Sequence, residues 1–197
     1  MTTHSITPAI MRAVRFSSFC FGFVLLAAAS LPSLAAPPKV TEILDNNGFQ
    51  TLLFALETTG LTSVVDENRV TLFAPTDDVF AETADALGCS DAVDLATRLL
   101  NIDVNGTDAL THVLTYHVYL GRLKDAYSIL SAGTLQTANG EFIATGVGKA
   151  GLFVEGVANA GPSGITTEGI KARKSSFVYA IDSILLPIDP AGVCDSV

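Results

Sequence analysis

The sequence predicts an α+β domain, because helical patterns dominate the first half of the chain and strand patterns dominate the second. Apolar residues recur at helical spacing over most of residues 40–116. From residue 117 onward, short runs rich in Val, Ile, Phe and Tyr alternate with Gly, Asn and Pro, as strands and turns do. One early strand pattern, at residues 69–74, interrupts the helical half.

The helical half divides at clear start and stop signals. Two short helices are expected on either side of the Asn-Asn-Gly break at residues 46–48, and the early strand ends at Pro75. Thr76 then provides an N-cap, followed by two aspartates in the first turn of a helix that ends near Gly88. Further helices are expected over residues 91–100 and 108–116.

The second half contains one sequence motif that could indicate a dinucleotide cofactor. Residues 146–151 fit the G-x-G-x-x-G pattern of a dinucleotide-binding loop. Such a loop must run into a helix whose N-terminus faces the pyrophosphate, whereas residues 152–157 follow a strand pattern. We therefore expect a hairpin turn and no cofactor. The strands are expected over residues 117–120, 134–137, 141–146, 151–157 and 176–186.

The start of the chain has the organisation of a secretory signal peptide. Arg12 and Arg15 precede an apolar run over residues 16–29, and small residues before Ala36 form a cleavage site. A transmembrane helix is the alternative, but it needs roughly 20 apolar residues and this run is shorter. Met11 is a second candidate start. We expect a signal peptide (1–35), a short leader (36–39), one domain (40–190) and a tail (191–197).

The expected mature chain is strongly acidic. The whole chain has 11 basic and 20 acidic residues, and loss of Arg12 and Arg15 changes its formal net charge from −9 to −11. Phosphate backbones are bound through clusters of Lys and Arg. The only local basic group along the sequence is Lys171, Arg173 and Lys174, so we expect no nucleic-acid partner. We also expect no membrane insertion after cleavage, and a location that is extracellular or periplasmic.

Two cysteines, Cys89 and Cys194, remain once Cys20 leaves with the signal peptide. In an exported protein they predict one disulfide, and two buried free thiols are the alternative. The bridge would connect residues 105 positions apart. Loop closure of that length gives an upper figure of about 4.7 kcal/mol of stabilisation.

Three motifs follow one another along the chain. Residues 71–80 read Thr-Leu-Phe-Ala-Pro-Thr-Asp-Asp-Val-Phe, residues 114–118 read Leu-Thr-Tyr-His-Val, and residues 178–187 read Val-Tyr-Ala-Ile-Asp-Ser-Ile-Leu-Leu-Pro. In order and spacing they resemble the signatures of the fasciclin domain family, over roughly residues 38–187. The resemblance implies a wedge-shaped β-sandwich with several short helices along one edge. It also implies a role in cell adhesion or extracellular matrix contacts.

Tyr116 and His117 are the binding residues that the resemblance singles out, because the Tyr-His segment is implicated in receptor and matrix binding in that family. The alternative is structural, with the tyrosine packed and the histidine capping or bonded to backbone at a helix-to-strand junction. The residue types favour this alternative, since both are commonly partly buried. In the closing motif, Asp182 is expected to accept backbone N–H groups at a turn.

The other polar residues give little support to metal binding or catalysis. Asp103, Asn105 and Asp108 suggest a calcium loop, but an EF-hand needs Gly at position 6 and Glu at position 12, which this segment lacks. Asn105 also begins an N-glycosylation sequon, relevant only in a eukaryotic source. His112 and His117 are five positions apart and would face different sides of a helix. We expect no metal and no enzymatic activity.

The function expected from the sequence is therefore an extracellular adhesion or matrix-binding module that acts through surface contacts. Its partner is expected to be an extracellular matrix or cell-surface protein or polysaccharide, with self-association as a route to avidity. The alternative function is a carrier of a small apolar ligand such as a carotenoid or lipid, which the resemblance to the fasciclin family also implies.

Overall fold

The computed structural model describes residues 36–190 and 192–194. The predicted signal peptide at residues 1–35 lies outside these residues, as do residues 191 and 195–197 of the predicted tail. Within the described part of the chain, no helix has both the length and the apolar character needed to cross a bilayer.

The described chain contains seven α-helices, and those predicted from sequence are confirmed. Two helices were missed because they are short, with six and seven residues and a single buried residue each. The second of them is held by Asp125, whose side chain accepts the N–H of Ser128 at 2.9 Å. The helices are α1 (Val40–Asn46), α2 (Gln50–Thr58), α3 (Thr62–Glu67), α4 (Asp77–Ala86), α5 (Ala92–Leu100), α6 (Ala109–Tyr116) and α7 (Ala126–Ala132).

Ten strands form three sheets in the described residues, which confirms the α+β class. The predicted strands are present, and the four missed ones, β2, β3, β8 and β9, have two residues each. The strands are β1 (Thr71–Pro75), β2 (Asp103–Val104), β3 (Thr107–Asp108), β4 (Val118–Tyr119), β5 (Thr134–Gln136), β6 (Phe142–Gly148), β7 (Gly151–Glu155), β8 (Ser163–Gly164), β9 (Ile170–Lys171) and β10 (Phe177–Ile181).

The first sheet has the order β4-β1-β10-β9. β1 and β10 are parallel, with Phe73 opposite Tyr179, and β4 and β9 pair antiparallel to their outer edges. Every residue of β1 and β10 is buried. A parallel pair is normally covered on both faces, which explains why these strands are continuous apolar runs in the sequence.

The two faces of this sheet belong to two different cores. Leu72 and Ala74 point to one face and pack with the apolar faces of α1 to α6. Phe73 and Tyr179 point to the other face, where they meet Ile143 and residues of the second sheet. The protein is therefore layered, with helices, then the first sheet, then the second sheet. The β-sandwich implied by the resemblance is confirmed.

The second sheet has the order β5-β6-β7-β8 and is built around the β6–β7 hairpin. Its turn contains the G-x-G-x-x-G string, so the hairpin prediction is confirmed. Gly146 lies opposite Phe153, and a Cβ on Gly146 would come within 2.5 Å of the Phe153 ring. At the β8 end of the sheet, Asp182 accepts the N–H of Gly164 at 2.6 Å, as expected from the sequence.

The segment that suggested a calcium loop is a small hairpin formed by β2 and β3, where the sequence predicted only a connecting loop. Asn105 and Gly106 form its turn with φ values of 57° and 83°, as an Asn-Gly hairpin turn requires. Asp103 accepts the N–H of Gly106, and Asp108 caps α6 through the N–H of Thr111 at 2.7 Å. Both carboxylates thus have structural partners.

The predicted disulfide between Cys89 and Cys194 is present, with the two Cα atoms 5.2 Å apart. Both residues and Val193 are buried and belong to the core between the helices and the first sheet. Cys89 follows α4, so the bridge holds the end of the chain against the helical layer.

Replacing both cysteines by alanine should lower the free energy of unfolding by about 2–4 kcal/mol, because the unfolded chain gains the freedom of a 105-residue loop. Urea unfolding of the oxidised wild type, the reduced wild type and the double variant measures this. The reduced wild type should behave like the variant. Equal midpoints for the oxidised and reduced wild type would show that the bridge does not stabilise the fold.

Candidate functional site

The Tyr-His segment lies where α6 ends and the first sheet begins. Tyr116 is the last residue of α6 and His117 is its C-cap, with the His117 N–H donating to Leu114. The His117 carbonyl accepts the N–H of Phe73 at 3.0 Å, which starts the pairing with β1. Tyr116 enters the core between the two sheets, while His117 borders the helical core.

The Tyr116 side chain is fully buried, at 0% exposure, and its hydroxyl bridges two segments. It donates to the carbonyl of Phe142 at 2.8 Å and accepts the N–H of Val157 at 3.1 Å. Burial raises the pKa of Tyr116, and the charge of Glu141 acts in the same direction. The hydroxyl therefore keeps its proton and can make both bonds at once.

One glycine makes this bridge possible. Gly156 is buried directly against the tyrosine, and a Cβ there would lie 2.9 Å from the ring carbon Cε1 of Tyr116. The same Cβ would also lie 2.5 Å from Oδ1 of Asn159. A larger residue at this position would separate the β7 end of the sheet from the tyrosine.

His117 is 1% exposed, and both of its ring nitrogens are bonded to backbone. Nε2 accepts the N–H of Leu185 at 2.9 Å, so the proton must lie on Nδ1, which donates to the carbonyl of Val113 at 2.8 Å. Burial lowers the pKa of His117 to about 4. The imidazole is therefore neutral at physiological pH and has no nitrogen left for a metal or a partner.

Asn159 completes the same arrangement, and no sequence pattern pointed to it. Its amide donates to the carbonyl of Ile184 at 2.8 Å, and its oxygen accepts the N–H of Leu186 at 2.8 Å. Together with His117, it binds the backbone on both sides of Leu185. A loop asparagine is too common in turns to be recognised in advance.

The outer face beside this site exposes two apolar side chains. Phe142 is 55% exposed and Val157 is 71% exposed, although the Tyr116 hydroxyl binds the backbone of both. They border one shallow surface depression of about 320 Å³ together with Ala144 and Glu155. Large apolar groups that share one depression are typical of interaction surfaces.

A second, narrow space lies in the helical core beside His117. Its free volume is about 20 Å³, close to that of one water molecule. A carotenoid or lipid would need the surrounding elements to move apart. Its wall is apolar apart from His117 and Thr83 and includes Leu52, Phe80, Leu95, Leu99, Val113 and Ile184.

The remaining candidates from the sequence take no part in the hydrogen bonds of Tyr116, His117 and Asn159 described above. Nε2 of His112 is 3.4 Å from a carboxylate oxygen of Glu141. Asn105 is exposed in the β2–β3 turn. Cys89, Cys194 and Asp94 have ligand atoms within 4.8 Å of one another. Because the two sulfurs form a disulfide, they supply no thiolate to a metal.

Comparison with known proteins identifies the family. The fasciclin domain model matches residues 47–187, and these residues contain the β1, Tyr-His and β10 motifs. The chain belongs to the fasciclin family. Fasciclin domains form a non-enzymatic, adhesion-type family.

Similar proteins include two from mycobacteria. The immunogenic proteins MPB70 of Mycobacterium bovis and MPT70 of Mycobacterium tuberculosis are each 28% identical to this fasciclin chain over 164 residues, which is 81% of this chain and 74% of theirs. A solved fasciclin domain pair from the insect cell adhesion molecule fasciclin I superposes with a TM-score of 0.50 at 17% identity. The match covers 72% of this chain and 46% of that one, and it supports the fold alone.

The stability of this fasciclin domain should depend on pH through His117. Its pKa is about 4 when folded and 6.5 in a free side chain, so only the unfolded chain takes up this proton between those values. The free energy of unfolding should therefore fall as the pH is lowered from about 6.5 towards 4, by on the order of 3 kcal/mol.

Replacement His117→Gln tests this effect, because an amide can donate and accept but does not titrate. Urea unfolding at about pH 7 and about pH 4.5 should show a smaller acid loss for the variant than for the wild type. Carboxylates contribute equally to the acid-induced loss of unfolding free energy in both proteins, so their contribution cancels when the two losses are compared. Identical acid losses would exclude His117 as the titrating group.

Replacement Tyr116→Phe removes the bridging hydroxyl and leaves the Phe142 carbonyl and the Val157 N–H without that partner. The free energy of unfolding should fall by about 1–3 kcal/mol. Hydrogen exchange at the Val157 amide should accelerate. Tyr127→Phe is the matched control, because Tyr127 is exposed on α7. Unchanged exchange at Val157 in the Tyr116 variant would contradict the bridging role.

Proposed function

We propose that this fasciclin domain is an extracellular adhesion or matrix-binding module that works through surface contacts, without catalysis. The observation that carries the proposal is the exposed pair Phe142 and Val157. Their backbones are joined by one buried hydroxyl, so the pair is presented in a fixed geometry. A rigid apolar pair loses little conformational entropy on binding, which favours a contact surface.

Tyr116 and His117 enter this proposal as positioning residues. Tyr116 fixes the two segments that expose the apolar pair. His117 fixes the Leu185 backbone, and Leu185 packs in the same core as Tyr116. The family's association of this segment with binding then has a physical cause, because replacing either residue would change the surface without removing a direct contact.

Export supports an extracellular site of action. The sequence at residues 1–35 has the features of a signal peptide. The Cys89–Cys194 disulfide fits an oxidising compartment. The apolar space beside His117 gives weaker support to a carrier role, because it has about 20 Å³ of free volume.

Replacing Phe142 and Val157 together by serine should weaken attachment of source cells to beads coated with the protein by about tenfold, since exposed anchors dominate such contacts. The matched control is Phe54→Ser with Val93→Ser, which removes an exposed phenylalanine and an exposed valine from α2 and α5. The control should attach like the wild type.

Thermal unfolding of both double variants separates binding from folding. Neither pair is buried, so both should keep a melting temperature near that of the wild type. Equal losses of attachment in the two variants would show that the Phe142 and Val157 surface is not the adhesive one. Normal attachment of the Phe142 and Val157 variant would have the same meaning.

A further inference from the structure

Basic residues gather at one end of the first sheet, although they are dispersed along the sequence. Of the 11 basic residues, Arg12 and Arg15 belong to the predicted signal peptide. Six of the remaining nine lie at or next to the N-terminal ends of β1 and β10. This basic end consists of Lys39, Arg69, Arg122, Lys171, Arg173 and Lys174, all of them exposed.

Three of these cations, Arg69, Arg122 and Lys171, lie around the start of β1 and β10. Thr71 and Phe177 are opposite each other at the start of β1 and β10, and Lys171 pairs with Phe177 from β9. Arg69 lies two positions before Thr71. The guanidinium carbon of Arg122 lies 5.8 Å from the centre of the Phe177 ring.

The turn between β9 and β10 contributes the other three. The N–H of Arg173 donates to the carbonyl of Pro38 at 2.8 Å, which places Lys39 beside this turn. Lys174 and the following Ser175 have φ values of 54° and 63°. Non-glycine residues adopt this left-handed conformation at a cost, and such backbone is concentrated at functional sites.

Most of these cations have no carboxylate partner. Nζ of Lys39 is 3.9 Å from Oδ2 of Asp66. Among the residues that the structure describes, the other five have no carboxylate oxygen within 4 Å. In a chain with 20 acidic residues, unpaired cations at one end are free to bind an anion.

A surface depression of about 490 Å³ lies within the basic end and offers more than positive charge. It is bordered by Lys39, Arg173 and Lys174, by the hydroxyl residues Thr62 and Ser63, and by the carboxylates Asp66 and Glu67. Cations bind acid groups, whereas hydroxyl and carboxylate oxygens accept hydrogen bonds from sugar hydroxyls. A sugar acid carries both kinds of group on one unit.

We propose that the basic end is a binding site for an anionic polysaccharide whose sugar units carry carboxylates and free hydroxyls. The inference rests on the proposed function in that it names the partner class for an adhesive domain, at a surface other than Phe142 and Val157. Asp66 and Glu67 would repel any anionic group close to them and accept hydrogen bonds from neutral hydroxyls, so they favour a chain with free sugar hydroxyls over duplex DNA, which has none. The remaining acidic residues would repel a wide anionic membrane, whereas a single linear chain touches only the basic end.

The test is affinity electrophoresis of residues 36–197 in gels that contain alginate, a linear polyuronate, with neutral dextran as the reference polymer. Alginate should retard the wild type and dextran should not. Arg173→Gln with Lys174→Gln should weaken alginate binding at least about fivefold, and added salt should weaken wild-type binding. Lys124→Gln with Lys149→Gln changes the net charge equally at other exposed positions and should change binding less than about twofold.

The variant with Arg173→Gln and Lys174→Gln, called the turn variant, could fail to fold. A second pair of substitutions, Arg69→Gln with Lys171→Gln, covers that case and should also weaken alginate binding. Failure of alginate to retard the wild type would overturn the proposal, as would equal losses in the turn variant and the charge control. Tighter binding to phosphatidylserine vesicles or duplex DNA than to alginate would overturn it in favour of that class. Cell attachment without alginate binding overturns this inference alone, whereas alginate binding without attachment supports it and overturns only the adhesive role.

Discussion

The rest of the structure depends on the parallel pairing of β1 with β10. The two strands are 106 positions apart, and both of their faces are buried. A parallel pair cannot be closed by a short hairpin, so the intervening chain must form the layers that cover it. The pairing also gives the domain two distinct ends. The basic turn lies where the strands begin, and the Leu185 backbone that His117 binds follows the end of β10.

Beyond the end of β10, side chains rather than neighbouring strands make the hydrogen bonds to the backbone. The backbone of residues 184–186 has left the sheet, yet His117 and Asn159 supply the donors and acceptors that a strand would supply. Buried backbone groups must be paired, so these side chains cannot be freely exchanged. The Tyr-His motif is thereby explained by the hydrogen bonds that its side chains make to buried backbone groups. The exposed surface depends on the motif because the Tyr116 hydroxyl holds the backbone of Phe142 and Val157.

Much of this fold could be predicted from local signals. Thr76 as a helix cap, the Asn-Gly-type breaks and the apolar runs of β1 and β10 each have a cause within a few residues. The missed elements, such as α3 and β9, are short and are stabilised by neighbours distant in sequence. The basic end could not be predicted for the same reason, since of its six residues only Lys171, Arg173 and Lys174 are close along the chain. Asn159 was hidden because its partners lie 25 and 27 positions away.

The separation of the two candidate surfaces bears on how one small domain could act in adhesion. The Phe142 and Val157 pair is fixed from the Tyr116 side, while the basic end is fixed by the β9–β10 turn. Because different backbone segments hold them, occupation of one surface leaves the groups of the other free. A domain with two independent surfaces can connect a polysaccharide to a second partner, or to another copy of itself. Weak contacts at each surface then suffice, since linked binding events raise the effective concentration of the second partner.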